Sequence, residues 1–116
     1  MSWDFGWKIL NPDRTSPWAT SQELLRPGAL TYPRLMAVRP LAGMGPLAVF
    51  ADTDRAHAYW HYLRRCANVY DPQWQRAMIV EIVFERSCQT RFHVNGYCES
   101  LPSRGTQFAD CVICLE

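Results

Sequence analysis

Three charged side chains, Arg14, Glu81 and Glu85, are of the types that act on a substrate. An arginine holds a phosphate through its planar guanidinium fork, and a carboxylate acts as a general base or orients a sugar hydroxyl. Glu81 and Glu85 share one face of a predicted strand, which separates them by roughly 13 Å at the usual rise per residue. That separation exceeds the spacing of a glycosidase carboxylate pair. Either glutamate would therefore act alone, or both lie on a solvated sheet face.

The cysteines offer a second chemistry, a structural zinc site. Cys111 and Cys114 form a C-x-x-C pair, and Cys88, His93 and Cys98 precede it; four such ligands suffice for zinc. However, the pair falls in an apolar run that predicts a strand, where residues three apart point to opposite faces. We therefore expect reduced, buried thiols and no cofactor. If zinc is present, its ligands are predicted to be Cys88, Cys98, Cys111 and Cys114.

Aromatic and arginine side chains in predicted loops favour a third reading, protein binding. Arg14, Trp18, Tyr32 and Trp74 fall in loops and not on the apolar faces of predicted strands or of the predicted helix. Tryptophan, tyrosine and arginine dominate the binding energy of protein interfaces. These four residues are therefore our predicted anchors for another protein, although an arginine and a tryptophan beside hydroxyl groups also suit a nucleotide.

The composition limits the classes of protein to which the chain can belong. Its 116 residues predict one domain spanning 1–116. The formal net charge of +1 supplies no overall field for nucleic acid, and no apolar run approaches the ~20 residues of a membrane span. The start of the chain lacks the pattern of a signal peptide, so we expect a cytoplasmic protein. Lysine is nearly absent, since Lys8 stands against eleven arginines. The composition leaves the oligomeric state open.

The hydrophobic pattern predicts an α+β domain: a mainly antiparallel, twisted sheet of five or six strands with one principal helix packed on one face. Strands are predicted at 3–10, 46–50, 78–86, 90–94 and 108–115, with a short one interrupted by Pro33 within 30–38. A long proline-rich connection over 11–45 contains a short helical turn at 20–25.

The predicted faces follow from the spacing of apolar residues. The helix at 54–67, capped by Asp52, Thr53 and Asp54, presents an apolar stripe at helical spacing made of Ala56, Tyr59, Trp60, Leu63 and Cys66. Alternation predicts which apolar residues share a strand face. In the first strand Trp3, Phe5, Trp7 and Ile9 form the core-facing side, and in the strand at 78–86 an apolar face, expected under the helix, comprises Met78, Val80, Ile82 and Phe84. In the last strand Ala109, Cys111, Ile113 and Leu115 share one face.

Three segments carry a resemblance to known domains: GWKILNPDR at 6–14, GPLAVFAD at 45–52 and LPSRGTQFAD at 101–110. In that order they are similar to small uncharacterised α+β domains of bacteria and their phages. The layout also distantly resembles ADP-ribosyltransferases, which have an early strand with an arginine, a strand leading into a helix, and a glutamate on a late strand. That resemblance implies that Arg14 holds a phosphate and that Glu81 or Glu85 polarises a ribose.

These observations lead to a ranked set of expectations. The first is a non-enzymatic protein-binding domain, for which a phage or mobile-element inhibitor of a host system fits the size and the resemblance. An ADP-ribosyltransferase-like or other nucleotide-acting enzyme is the alternative, and a zinc-stabilised module is the third.

Overall fold

The computed structural model describes residues 3–16, 30–40, 47–68, 72–88, 92–94, 97–99 and 106–116. Within these ranges the chain forms seven strands, one α-helix and one 3₁₀ helix. In chain order they are β1 (Trp3–Leu10), β2 (Ala37–Val38), β3 (Leu47–Phe50), α1 (Thr53–Cys66), the 3₁₀ helix (Pro72–Arg76), β4 (Met78–Arg86), β5 (Phe92–Val94), β6 (Tyr97–Glu99) and β7 (Thr106–Cys114).

The predicted α+β class, the antiparallel pairing and the single main helix are confirmed, but the sheet differs from the predicted one. Its five strands run in the order β2-β7-β3-β1-β4, and β4 also pairs with β7. That extra pairing closes β1, β4, β7 and β3 into a four-stranded barrel, to which β2 is added along β7. Strands β5 and β6 form a separate two-stranded ladder.

The barrel interior is one apolar cluster. Its buried members come from every strand of the sheet and from the segment before β2, and they are Leu10, Tyr32, Val38, Leu47, Val49, Val80, Ile82, Phe84, Ala109, Val112 and Cys114. The predicted apolar face of β4 is buried, since Val80, Ile82 and Phe84 are buried there, but it lies inside the barrel and not under the helix as expected. The strand's alternation revealed this face because the barrel covers only one side of it.

The predicted inward face of β1 is wrong at its beginning. Trp3 and Phe5 are exposed, whereas Gly6, Lys8 and Leu10 are buried on the barrel side. The barrel is too narrow for large side chains there: a Cβ added to Gly6 would lie 2.5 Å from the Phe50 carbonyl oxygen and 2.8 Å from the Phe84 ring. The larger residues of β1 therefore point outward.

Helix α1 covers part of the outer surface of the barrel. The Asp52 carboxylate accepts a hydrogen bond from the Asp54 amide at 2.8 Å, which caps the first turn. Ala56 and Leu63 are buried against the outward side chains Ile9 and Phe50. Ala67, Trp74 and Ala77 complete this second cluster. The predicted helix and its apolar stripe are confirmed, with the helix beginning one residue earlier than predicted.

Strand β7 contains a bulge that changes its alternation. Glu85 of β4 faces Cys111, but the next residue of β4, Arg86, faces Ala109, so that Asp110 is left over. Ala109 therefore joins Val112 and Cys114 inside the barrel. The prediction that Ala109, Cys111, Ile113 and Leu115 share one face is wrong, because it assumed an uninterrupted alternation.

The proline-rich connection is described only in part. The helical turn expected at 20–25 lies outside the described residues. Of the strand expected within 30–38, Ala37 and Val38 pair with β7, and Thr31 and Arg34 form isolated bridges. Across the ranges given above, no helix has the length and apolar character that crossing a membrane requires.

Candidate functional site

Two of the four predicted anchors, Tyr32 and Trp74, are buried. Each is 2% exposed: Tyr32 closes the barrel interior, and Trp74 lies between α1 and the outer side of the sheet. Both fall outside the regular strands, as predicted, but Trp74 lies in the 3₁₀ helix. The expected exposure of Tyr32 and Trp74 is wrong. Tyr32 fills the end of the narrow barrel, and Trp74 fills the space beneath the helix. Trp18 lies outside the described residues.

Arg14 is held by two main-chain carbonyl groups. It has a positive φ of 66°, and its side chain donates from Nε to the Tyr32 oxygen at 2.6 Å and from Nη2 to the Glu116 oxygen at 2.7 Å. The same side chain bonds the Cys114 thiol. The guanidinium thus links the loop after β1 to the segment before β2 and to the end of β7.

The two candidate glutamates differ in whether a contact links them to Arg14. The Glu81 amide donates to Oε1 of Glu116 at 2.9 Å, so Arg14 and Glu81 both contact Glu116. Glu85 lies further along β4, opposite Trp3 and Cys111. No contact in the described structure joins it to Arg14. The structure therefore brings one of the two predicted glutamates to the arginine's end of the barrel.

The cysteines of the predicted zinc set are dispersed. Cys114 faces Ile82 inside the barrel, whereas Cys111 pairs with Glu85 on the outward side, so the C-x-x-C pair points to opposite faces as predicted. Cys88 is exposed, and the side chain of Cys98 is outside what the structure describes. Among described residues, no three histidine, cysteine or acidic side chains are grouped so as to hold a metal ion.

Lys8 forms a buried polar site that the sequence pattern did not reveal. It is 4% exposed, and its Nζ donates to the Ala48 oxygen at 2.6 Å and lies 4.9 Å from the centre of the Tyr32 ring. Burial lowers its pKa to about 8, an effect that Cys114 opposes. Burial likewise raises the pKa of Cys114, which Arg14 and Lys8 oppose. A single lysine among eleven arginines was the one available signal.

An apolar row crosses the outer side of the sheet where α1 does not cover it. Phe5 of β1 pairs with Val83 of β4, Val83 with Ile113 of β7, and Ile113 with Ala37 of β2. Phe5 is 69% exposed, and Val83 and Ile113 are half-buried. We call these four residues, with the adjacent Trp3, the open face.

One acidic and one basic residue lie beside the open face, and within the described part of the chain neither has a charged partner. Glu85 lies two residues beyond Val83, and its Oε2 is shielded from solvent with no hydrogen-bond partner in the described part of the chain. Arg39 follows Ala37 by two residues and is exposed, and no ion pair or hydrogen bond of its side chain occurs within that part. Alternation places Arg39 on the same side as Ala37.

No family model, curated protein or solved structure matches this chain. What the arrangement can do follows from its own side chains. The buried site around Lys8 is packed under Tyr32 and is shielded from solvent. The open face offers the exposed aromatic area of Trp3 and Phe5, and the exposed Arg39 lies beside it; both suit binding.

Proposed function

We propose that this chain is a non-enzymatic protein-binding domain whose docking surface is the open face. The observation that carries the proposal is the row of paired residues that runs from Phe5, which is 69% exposed, through the half-buried Val83 and Ile113 to the exposed Ala37. Contiguous exposed apolar area on a small domain marks interaction sites. Trp3, at 43% exposure, adds a residue type that is enriched at interface centres.

The anchors in this proposal differ from those expected from the sequence. Trp3 and Phe5 take the place of the buried Tyr32 and Trp74. Arg14 donates from Nε and Nη2 to main-chain oxygens, and Trp18 stays a predicted anchor. The idea that the bound protein belongs to a host system, as a phage-type inhibitor requires, is supported by the resemblance alone.

A photo-crosslinker placed on the open face tests the proposal. We expect p-benzoylphenylalanine at position 5 to give a covalent protein adduct in lysate of the source cells, because Phe5 would lie inside the interface. The same group at Arg65, exposed on α1, is the matched control and should give none. An Ile113→Glu change added to the position 5 variant should abolish the adduct, since it puts a charge in the middle of the row.

Two results would count against the proposal. One is an adduct yield at position 5 no higher than at position 65. The other is an adduct that persists unchanged with Ile113→Glu in a protein whose circular dichroism and melting temperature show that it is folded.

A further inference from the structure

We infer that the exposed turn at 34–36 is the anchor of this binding domain, and that its protein partner receives Leu35 and Met36 in an apolar pocket bordered by carboxylates. The inference rests on the proposed function, since it names the chemistry of the bound protein. Met36 directly precedes Ala37, so the turn adjoins the end of the open face. A turn that enters a pocket needs no flat surface around it.

The two apolar side chains of this turn lie in solvent. Leu35 is 56% and Met36 60% exposed, and of the large apolar side chains that the structure describes only Phe5 is more exposed. Their neighbours Tyr32 and Val38 fill the barrel interior instead. Packing of the barrel therefore does not explain two large apolar residues in this turn, whereas covering them by a partner is favourable.

The backbone does not explain the leucine either. Leu35 has a φ of 61°, which lies in the left-handed region that glycine adopts without the strain a side chain brings. Glycine at this position would relieve that strain and would also remove exposed apolar area. A residue that suits neither its backbone conformation nor the solvent is expected where the side chain itself is used for binding.

The barrel holds the turn in one position. The Leu35 amide donates to the Cys114 oxygen at 2.8 Å, Arg34 forms a bridge with Cys114, and Ala37 and Val38 pair with β7. A fixed backbone reduces the entropy that binding costs, and it presents the two side chains in one arrangement. A shaped pocket in a protein requires such an arrangement, whereas a fluid lipid surface does not, so these contacts favour a protein.

The charges beside the turn indicate what borders the pocket. Arg34 and Arg39 are exposed, and in the described part of the chain neither side chain makes an ion pair or a hydrogen bond. No acidic residue occurs in the sequence between Glu23 and Asp52. Guanidinium groups form charge-assisted hydrogen bonds with carboxylates. A pocket with apolar walls and acidic groups at its rim therefore complements this turn.

A photo-crosslinker at position 36 identifies the protein that receives the turn. p-Benzoylphenylalanine keeps a large apolar side chain there, and it should form an adduct with the same protein that position 5 captures in lysate of the source cells. Mass spectrometry of the adduct then gives the identity of that protein, which can be purified for affinity measurements.

Isothermal titration of the purified partner tests the anchor. Leu35→Gly should weaken binding by about tenfold or more, because a buried apolar contact is lost. Its melting temperature should equal or exceed that of the wild type, because the strain is lost as well. A leucine with only a structural role would not give this combination. Met36→Ser should weaken binding to a similar extent.

Charge reversal tests the rim of the pocket. Arg34→Glu should weaken binding by about tenfold or more, since it places like charges together. Arg65→Glu makes the same change of charge on α1 and should leave the affinity unchanged. Equal effects of the two variants would overturn the acidic rim.

Three results would overturn the anchor. The first is a partner that binds Leu35→Gly and Met36→Ser as tightly as the wild type, with both variants folded by circular dichroism. The second is the absence of an adduct at position 36; adducts at position 5 in the same lysate would then still support the open face. The third is binding to vesicles of phosphatidylglycerol that depends on Leu35 and Met36, which would assign the turn to a membrane surface. Adducts at position 36, with none at position 5 above the level at position 65, would support the turn and overturn the open face.

Discussion

The barrel core buries the charged residue Lys8, and this burial lowers the stability of the folded state. Among the described residues the other buried polar side chains are Asn11 and Thr15, which are uncharged. An ammonium group in an apolar interior loses its hydration, and the Ala48 oxygen and the Tyr32 ring replace only part of it. The lowered pKa of about 8 expresses that loss.

The stability of the protein should therefore rise with pH between about 8 and 10. In this range Lys8 has lost its proton in the folded state but keeps it in the unfolded state, where its pKa is 10.5. The unfolded state then binds more protons, so the free energy of unfolding increases with pH, by a total on the order of 3 kcal/mol. Below pH 8 the full cost is present. Cys114, whose pKa burial raises from 9.0, opposes the trend from about pH 9, and Tyr32 and Tyr59, whose pKa values burial also raises, oppose it above about pH 10.

Lys8→Met isolates this contribution, because methionine keeps an unbranched chain under Tyr32. Urea unfolding at several pH values should show no gain in stability for Lys8→Met over the range in which the wild type gains stability, with a fall above about pH 9 where Cys114 ionises in the unfolded state. Arg65→Met, an exposed cation lost from α1, should keep the wild-type slope. A slope that Lys8→Met leaves intact would show that Lys8 is not the titrating group.

At the scale of elements, the close approach of β1 to its neighbours depends on Gly6. A methyl group there would meet the Phe50 carbonyl oxygen at 2.5 Å and the Phe84 ring at 2.8 Å. The ring can turn aside, but the carbonyl belongs to the main chain of β3. The strands must therefore separate to admit even one methyl group, and overpacking of this kind typically costs about 1–3 kcal/mol.

Gly6→Ala should lower the free energy of unfolding by that amount. Because a 116-residue domain changes its melting temperature by roughly 4 °C per kcal/mol, calorimetry should show a fall of several degrees. Ala58→Gly, at an exposed position of α1, is the matched control for glycine propensity and should cost about 1 kcal/mol or less. A Gly6→Ala protein as stable as the wild type would show that the strands of the barrel can separate at this point without loss of stability.

The elements that could be predicted from the sequence are those whose environment is uniform along their length. Helix α1 buries one stripe of side chains, and β4 buries one face in the barrel. The spacing of their apolar residues therefore indicates directly which side chains are buried. Strand β1 has a different neighbour at each end, since α1 covers Ile9 but leaves Phe5 open. The alternation of apolar and polar residues in β1 is therefore visible in the sequence, but it does not show which face of the strand points into the barrel.

The candidate site was harder to predict because it depends on barrel closure. The row from Phe5 to Ala37 joins four strands from distant parts of the chain, and its register includes the pairing of β4 with β7. The bulge at Asp110 changes which side chains of β7 point into the barrel, and no glycine or proline at that point of the sequence indicates it. Tyr32 was assigned to a loop correctly, whereas Trp74 lies in the 3₁₀ helix. The burial of both depends on tertiary packing, Tyr32 in the barrel interior and Trp74 under α1.

At the scale of the whole molecule, the barrel should unfold as one unit and the β5–β6 ladder separately. Strands β1 and β4 pair over eight residues, and β7 closes the barrel against β4. Strands β5 and β6 pair over three residues each in a two-stranded ladder. Such a short hairpin is marginal in water without further strands, whereas ladder amides inside a closed barrel open only with the core.

Native-state hydrogen exchange distinguishes these units. We expect the slowest amides in β1, β4 and β7, with a free energy of opening equal to that of global unfolding by urea. Amides of β5 and β6 should exchange with a smaller free energy that urea barely changes, because their opening exposes little surface. Lys8→Met measured at pH 7 should raise protection of the barrel amides, since it removes a cost of the folded core, and leave β5 and β6 as they were. Equal protection in both sets would mean that the hairpin and the barrel form a single cooperative unit.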